Sequence, residues 1–189
     1  MEIPNWRVRG STYVVDSPFL RLRKDSLELP DGTLIDDYYV REGRGFSIIF
    51  ALTEDHRVVL VRQFKYAVGR IMLELPAGLI DEGEDARDAA VRELAEETGY
   101  HAQSMEPVHS LCAEPSNSQT SMHIFLARGA RRQVRQRLDV TEEIEVELAT
   151  VQEVRTLVAR GDIDSTAQVA AIYYVLENVL GAGRAIQPG

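Results

Sequence analysis

Glu93, Glu96 and Glu97 stand within about one turn of a helix that the sequence predicts from near Asp85 to Gly99. Residues three and four apart on a helix are neighbours, so these carboxylates converge. Like charges so placed repel, and burying them without a partner costs several kcal/mol each. Arg92, four residues before Glu96, neutralises one of them. The remaining hard oxygen donors suit Mg²⁺ or Mn²⁺. An acidic helix is commonly no more than a solvated face. Here, at about 100° per residue, Ala86, Ala89, Ala90, Val91 and Leu94 form an apolar arc expected to face a sheet, and Glu93 and Glu97 fall inside it.

Other elements must hold that helix in place. Asp81, Glu82, Glu84 and Asp85 lie before or at its start, where carboxylates suit the positive end of the dipole. Gly99 is a good residue to end it. In the approach Glu74–Gly78, Pro76 fixes its own φ and Gly78 allows a conformation closed to other residues. A loop so constrained can turn a carbonyl toward a cation. Upstream, Phe46–Leu52 and Arg57–Phe64 are apolar runs joined by the turn Glu54-Asp55-His56, and they predict strands buried on both faces. A sheet covered on both sides needs helices. Arg62 and Arg70, placed around the end of the second run, are candidates to pair with a phosphate or with the acidic cluster, against the plainer reading of strand-end charges.

Residues 11–41 alternate in Thr12–Val15, Phe19–Arg23 and Leu34–Val40, with turn signals at Asp16-Ser17-Pro18 and Pro30-Asp31-Gly32. This predicts a small antiparallel meander, too short to bury a core alone. Trp6 is a candidate to stack on a purine; a surface or interface aromatic is the plainer reading. Beyond the acidic helix, strands are expected over Pro107–Ala113 and Ser121–Arg128, with the loop Glu114–Thr120 between them. Cys112 is expected to be a small core residue of its strand. Arg131–Arg137 reads as a basic loop with a solvated or interface role ahead of phosphate contact. A strand over Ile144–Leu148, a helix from Val151 to Gly161 and a last helix begun by Asp164-Ser165 complete the pattern, with Val169, Ile172, Tyr173, Leu176 and Leu180 as the core side of the last.

The 189 residues suffice for one domain with its own core plus a small appendage, and the net charge of −9 argues against a nucleic-acid groove. An acidic chain that handles a diphosphate must reverse its own field locally. No apolar run approaches a membrane span, and the N-terminus has no apolar leader core, so a cytoplasmic protein is expected.

Gly78, five residues, Glu84, seven residues and then Arg92-Glu93-Leu94-Ala95-Glu96-Glu97-Thr98-Gly99-Tyr100 resemble a complete Nudix box, with an aromatic residue in the last place where an aliphatic one is commoner. The resemblance implies an α+β Nudix fold: a mixed β-sheet sandwiched between helices over 43–180, an N-terminal antiparallel β-meander over 1–42 and a flexible tail over 181–189. It implies a metal-dependent hydrolase of nucleoside diphosphate derivatives. The metal set would be Glu93, Glu96 and Glu97 with a main-chain oxygen from Ala77, and Arg92 would orient the carboxylates. An acidic residue on the mobile loop before Ile144, Glu142 first and Glu143 second, would activate water or join the metal. Pro115, about fifteen residues past the box, together with the N-terminal meander and the Leu75-Pro76-Ala77-Gly78 run, resembles the ADP-ribose pyrophosphatase branch, whose N-terminal sheet implies a homodimer. One departure stands out: that branch usually carries Gly after this proline and an acidic residue soon after, where this chain has Ser116, Gln119 and Thr120. The expected substrate is therefore ADP-ribose or a related nucleoside diphosphate sugar, with GDP-mannose or a dinucleotide as alternatives. Two readings from other classes are a silent Nudix domain that senses a nucleotide and a purely structural module.

Overall fold

Strand β4 (Phe46–Thr53) is buried along nearly its whole length, and its side chains divide by parity as the two-residue period of a strand requires. Ile48, Phe50 and Leu52 enter one apolar cluster and Ile49 and Ala51 another. A sheet with a core on each face therefore runs through it. The computed structural model describes residues 3–181, so the part of the expected tail from residue 182 onward lies outside the described residues.

By its contacts the chain forms two units, Met1–Arg44 with Cys112–Ser121, and Gly45–Leu111 with Met122–Gly189. The loop after Leu111, which the sequence assigns to the larger domain, clusters with the first unit. That unit is a three-stranded antiparallel meander of β1 (Arg7–Asp16), β2 (Arg21–Glu28) and β3 (Leu34–Glu42) in the order β1-β2-β3. Ser17 and Gly32 shape its turns, the latter at φ 85°, a conformation that favours glycine. Asp25 is buried and survives because Arg23 binds both its oxygens at 2.8 and 3.0 Å. Every residue of β1 is exposed. The returning loop is fastened to β3 by Arg41 N–H on Asn117 O at 2.7 Å, by an Arg41–Glu114 ion pair at 2.8 Å and by the Tyr38 hydroxyl on Ser116 O. Cys112, expected in a core, is exposed, because it lies at the end of its strand where the chain leaves the sheet.

The second unit is an eight-stranded mixed sheet. Its members are β4, β5 (Arg57–Lys65), β6 (Arg70–Glu74), β7 (Ala77–Leu79), β8 (Tyr100–His101), β9 (Ser104–Cys112), β10 (Ser121–Arg132) and β11 (Ile144–Thr150). Five of them run in the order β11-β5-β4-β10-β8, and β9 pairs with β10. Strand β10 runs parallel to β4, and β11 runs antiparallel to β5. Although β4 and β5 are joined by a tight turn, they share only the pair Leu52↔Val58 and then diverge. Strand β6 lies on β5, and β7 lies on β4.

Helix α1 (Ala86–Thr98) covers one face through Ala90 and Leu94. Val91, expected on that inward arc, is 40% exposed and lies at its edge. Helices α2 (Val151–Arg160) and α3 (Thr166–Val175) cover the other face, and α3 runs on into a π-helical turn over Leu176–Leu180. A reciprocal capping box of Thr150 and Glu153 starts α2. The buried stripe of α3 is Gln168, Ala171, Ile172, Val175 and Leu176. It is rotated from the expected one, so that Tyr173 turns outward at 41% exposure. The mixed sheet between helices and the N-terminal antiparallel sheet are the architecture expected from the sequence.

Candidate active site

Both ends of α1 are fixed by specific bonds. At its start the Asp85 carboxylate accepts from Arg87 N–H at 2.8 Å, and the buried Ser47 hydroxyl donates to Ala86 O at 2.8 Å, tying the first turn to β4. At its end Gly99 takes φ 77°, and its N–H returns to Ala95 O. The last carbonyls of a helix have no partner within it. Here residues 133–137 supply the partners. Arg137 N–H donates to Glu96 O at 2.9 Å, the Gln136 side-chain amide donates to Glu97 O at 2.7 Å, and the amides of Gln133 and Val134 converge on Gly99 O. The stretch expected to be solvated or at an interface is thus the cap of the acidic helix, and the Arg137 side chain also pairs with Glu96.

Arg92 organises the carboxylates. Its guanidinium grips both oxygens of Glu84 at 2.9 Å, binds Glu93 at 2.7 Å and Glu96 at 3.2 Å, and donates to Leu79 O at 2.9 Å. These bonds, Glu84's foremost, raise its pKa further above the ordinary arginine value. Glu84, which the sequence places at the helix start and within the Nudix-box pattern, is the anchor of Arg92. Glu93 is held by Arg92, yet burial raises its pKa above the usual carboxylate value.

Glu97 stands differently. It is 5% exposed, and among the described residues no cationic side chain makes an ion pair with it. Burial pushes its carboxyl up to about 8. The Ala77 amide opposes that rise, as does the charge of Lys65, while the charges of Glu93 and Glu142 add to it. Ala77 N–H donates to Glu97 Oε2 at 3.0 Å.

The register of β7 explains that bond. In an antiparallel ladder, alternate facing pairs exchange N–H···O bonds. Bonds from Ile80 N–H to Gly45 O and from Ile49 N–H to Pro76 O set the phase on either side of Ala77. Ala77, facing Ile48, therefore sits at a pair that exchanges none, and its N–H and C=O both turn away from β4, toward the side where Glu97 lies. Gly78 is glycine for space rather than for backbone freedom, since its φ is not positive. A Cβ there would fall 2.0 Å from Glu93 Cδ and 2.1 and 2.3 Å from its oxygens.

Glu142 lies in a turn in which Asp139 N–H donates to its carboxylate at 3.0 Å, and its charge is felt at both Glu93 and Glu97. Arg62 pairs with Glu147 at 3.2 Å on the neighbouring strand, and Arg70 pairs with Asp164. Neither meets the acidic cluster, because strand pairing and the loop before α3 bring other acids nearer. Trp6 and Pro115 belong to the first unit. Trp6 is half exposed, its ring edge-on to Tyr38 at 5.8 Å. Pro115 is exposed in the turn that Asn117 and Ser118 close onto Glu114 O. Of the three residues that depart from the branch pattern, Thr120 is buried and bonded to Ser118, while Ser116 and Gln119 are exposed.

A divalent cation fits this chemistry: hard carboxylate oxygens, a buried acid whose proton a cation would replace, and a strand carbonyl turned the same way. Among the described residues no three acidic, His or Cys side chains already converge as a ligand set. The reason is visible in the bonds, since Arg92, Arg137 and the Ala77 amide hold those oxygens.

The fold is of the α+β class, and the carboxylate helix packed on its sheet is the candidate site. Residues 41–169 match the NUDIX domain, and residues 6–40 match the nucleoside diphosphate sugar hydrolase N-terminal domain. The chain is similar to a methanol dehydrogenase activator of Bacillus methanolicus, 30% identical over 163 residues that cover 85% of this chain and 88% of the relative. An ADP-ribose pyrophosphatase of Bacillus subtilis is 29% identical over 152 residues, covering 80% of this chain and 82% of that one. Among solved structures, that of an ADP compounds hydrolase has the same fold, with a TM-score of 0.86 at 23% identity over 98% of this chain and 100% of the other. The chain belongs to the Nudix hydrolase family. Among the described residues no helix is long and apolar enough to cross a membrane.

Proposed function

We propose that this enzyme hydrolyses the diphosphate bond of ADP-ribose, or of a close nucleoside diphosphate sugar, to a nucleoside monophosphate and a sugar phosphate, in the cytoplasm. The observation that carries the substrate class is the match of residues 6–40 to the N-terminal domain of nucleoside diphosphate sugar hydrolases. Relatives named ADP-ribose pyrophosphatase support it.

Glu93, Glu96 and Glu97, with the Ala77 carbonyl, would hold Mg²⁺ or Mn²⁺. When bound, such an ion would neutralise diphosphate oxygens and lower the pKa of water. The chain's own residues then have distinct tasks. Arg92 orients Glu93 and Glu96 through bonds already made. Glu142 is the acceptor for the proton of the water that adds to phosphorus while the bridging P–O bond breaks and the second phosphate leaves with that oxygen. Its charge reaches the cluster, which supports this role. Arg62 and Arg70 are substrate contacts for the diphosphate: their present ion pairs are exposed and of the kind that contributes little, so exchange for a phosphate is inexpensive. Trp6 would stack on the base, and Pro115 would contact the substrate. The exposed apolar residues of β1 support a homodimer joined through the N-terminal sheet.

A phosphatase-coupled assay of phosphate release tests the reading, run on ADP-ribose, GDP-mannose, other nucleotide sugars, dinucleoside polyphosphates and NADH with Mg²⁺ and with Mn²⁺. Expected is preferred turnover of ADP-ribose, lost with EDTA. In E142Q, kcat falls while KM is kept. Consumption of nucleoside triphosphates alone would refute the substrate class.

A further inference from the structure

Between β6 and β7 the chain changes partners: Glu74 still pairs with Val61 of β5, and Ala77 already faces Ile48 of β4. Two residues make the crossing, Leu75 and Pro76. Pro76 has no N–H, and its carbonyl is taken by Ile49 N–H at 2.9 Å. Leu75 is 1% exposed, so its amide and carbonyl need partners from the protein. They find both on one side chain. Leu75 N–H donates to Gln168 Oε1 at 2.9 Å, and Gln168 Nε2 donates to Leu75 O at 3.3 Å. Gln168, 4% exposed in the inward stripe of α3, stands in for a missing strand. A hydrocarbon side chain at that place would pack as well on the helix and leave two buried polar groups unmet.

We propose that Gln168 is a positioning residue for the metal-binding end of the site. It pins the backbone two residues before Ala77, whose amide holds Glu97 and whose carbonyl turns the same way. This inference rests on the metal reading of the cluster. Gln168 touches neither the acids nor the substrate. It acts through the crossover, and a shift of Leu75 would carry Ala77 and the Glu97 carboxylate with it. Only a primary amide of this length offers an acceptor and a donor to the same residue at both of its main-chain atoms.

The test is Mn²⁺ binding, followed by electron paramagnetic resonance of the free ion in protein without substrate. Q168M keeps the volume and removes both bonds; Q168N keeps the amide on a shorter arm and serves if Q168M does not fold. V175A, a cavity in the same helix face at a 0% exposed residue, is the stability control. Expected is a loss of Mn²⁺ affinity of about tenfold or more in Q168M and Q168N. V175A should bind as wild type at a temperature where all are folded. Equal affinity in the Gln168 variants and wild type would overturn the proposal, and so would an equal loss in V175A. Wild type failing to bind Mn²⁺ would instead reject the metal reading itself.

Discussion

Gly78 and Glu93 are in direct apposition: the Glu93 carboxylate occupies the space where a Cβ on residue 78 would stand, 2.0 Å from Cδ. The carboxylate is the far end of a flexible side chain and can move aside. G78A is therefore expected to fold with little loss of stability and to lose activity by about 100-fold or more, the scale of a catalytic group misplaced by an ångström. Thermal melts and kcat on one preparation decide this. Near-normal turnover would show that the Glu93 position is not critical.

Glu97 ionises near pH 8 in the folded protein and near 4.5 in the absence of such burial. Between those values the folded state holds the extra proton. The contribution of Glu97 to stability without divalent ions is therefore fully present below about 4.5 and is lost as pH rises toward about 8, by at most about 1.4 kcal/mol per unit, whereas Asp25, Asp31, Asp55 and Glu153, whose pKa values are lowered, act in the opposite sense in more acid solution. E97Q should flatten the slope, leaving a residue from Glu93, whose pKa is also raised. It should also abolish turnover by orders of magnitude while substrate still binds. Urea midpoints in EDTA across this range would expose an error if both proteins gave one slope.

Binding of a divalent ion must displace that proton. Calorimetry at pH 7 in buffers of different ionisation enthalpy should therefore report about one proton released per protein in wild type and a reduced release in E97Q. No buffer dependence in wild type would contradict the placement of the ion at Glu97.

Removing Arg92 takes the guanidinium away from Glu84 and Glu93 in a largely buried setting. R92A is expected to lose about 3 kcal/mol of stability, as when one partner of a buried pair is deleted. R92K should recover only part of it, because an ammonium cannot grip both Glu84 oxygens and reach Leu79 O in the same geometry. Denaturant titration of the pair measures it, and full recovery by lysine would mean that charge alone matters.

The wholly exposed β1, with Val8 at 58% and Val14 at 54%, leads us to expect a dimer in sedimentation experiments. The double variant V8K/V14K is expected to sediment as a monomer. A monomeric wild type would refute the homodimer.

What the sequence made legible was local. The caps and glycine end of α1 and the inward turn of Glu93 and Glu97 follow from periods and neighbours within a few residues, and all are found. The longer strands β4, β5, β9, β10 and β11 were legible from their own runs in the same way, whereas the short strands β6, β7 and β8 were not. What it hid depends on partners far along the chain. Arg62 and Arg70 were open to a phosphate or to the acidic cluster, and strand pairing brings Glu147 to the first while the loop before α3 brings Asp164 to the second. Residues 133–137 read as solvated or as an interface because nothing nearby revealed the helix end they close. Gly78 suggested backbone freedom, where the reason is a carboxylate fifteen positions on that a linear reading cannot place. Gln168 carries no local signal at all, since its partner Leu75 is 93 residues away.

The closure of α1 by residues 133–137 also means that its signature is not a portable cassette. Transplanted alone onto another scaffold, residues 74–100 would arrive with Glu96 O, Glu97 O and Gly99 O facing water, and the final coil bearing two of the three acids would fray. Any graft of this chemistry must bring along the strip that follows β10, although that strip carries none of the signature's letters.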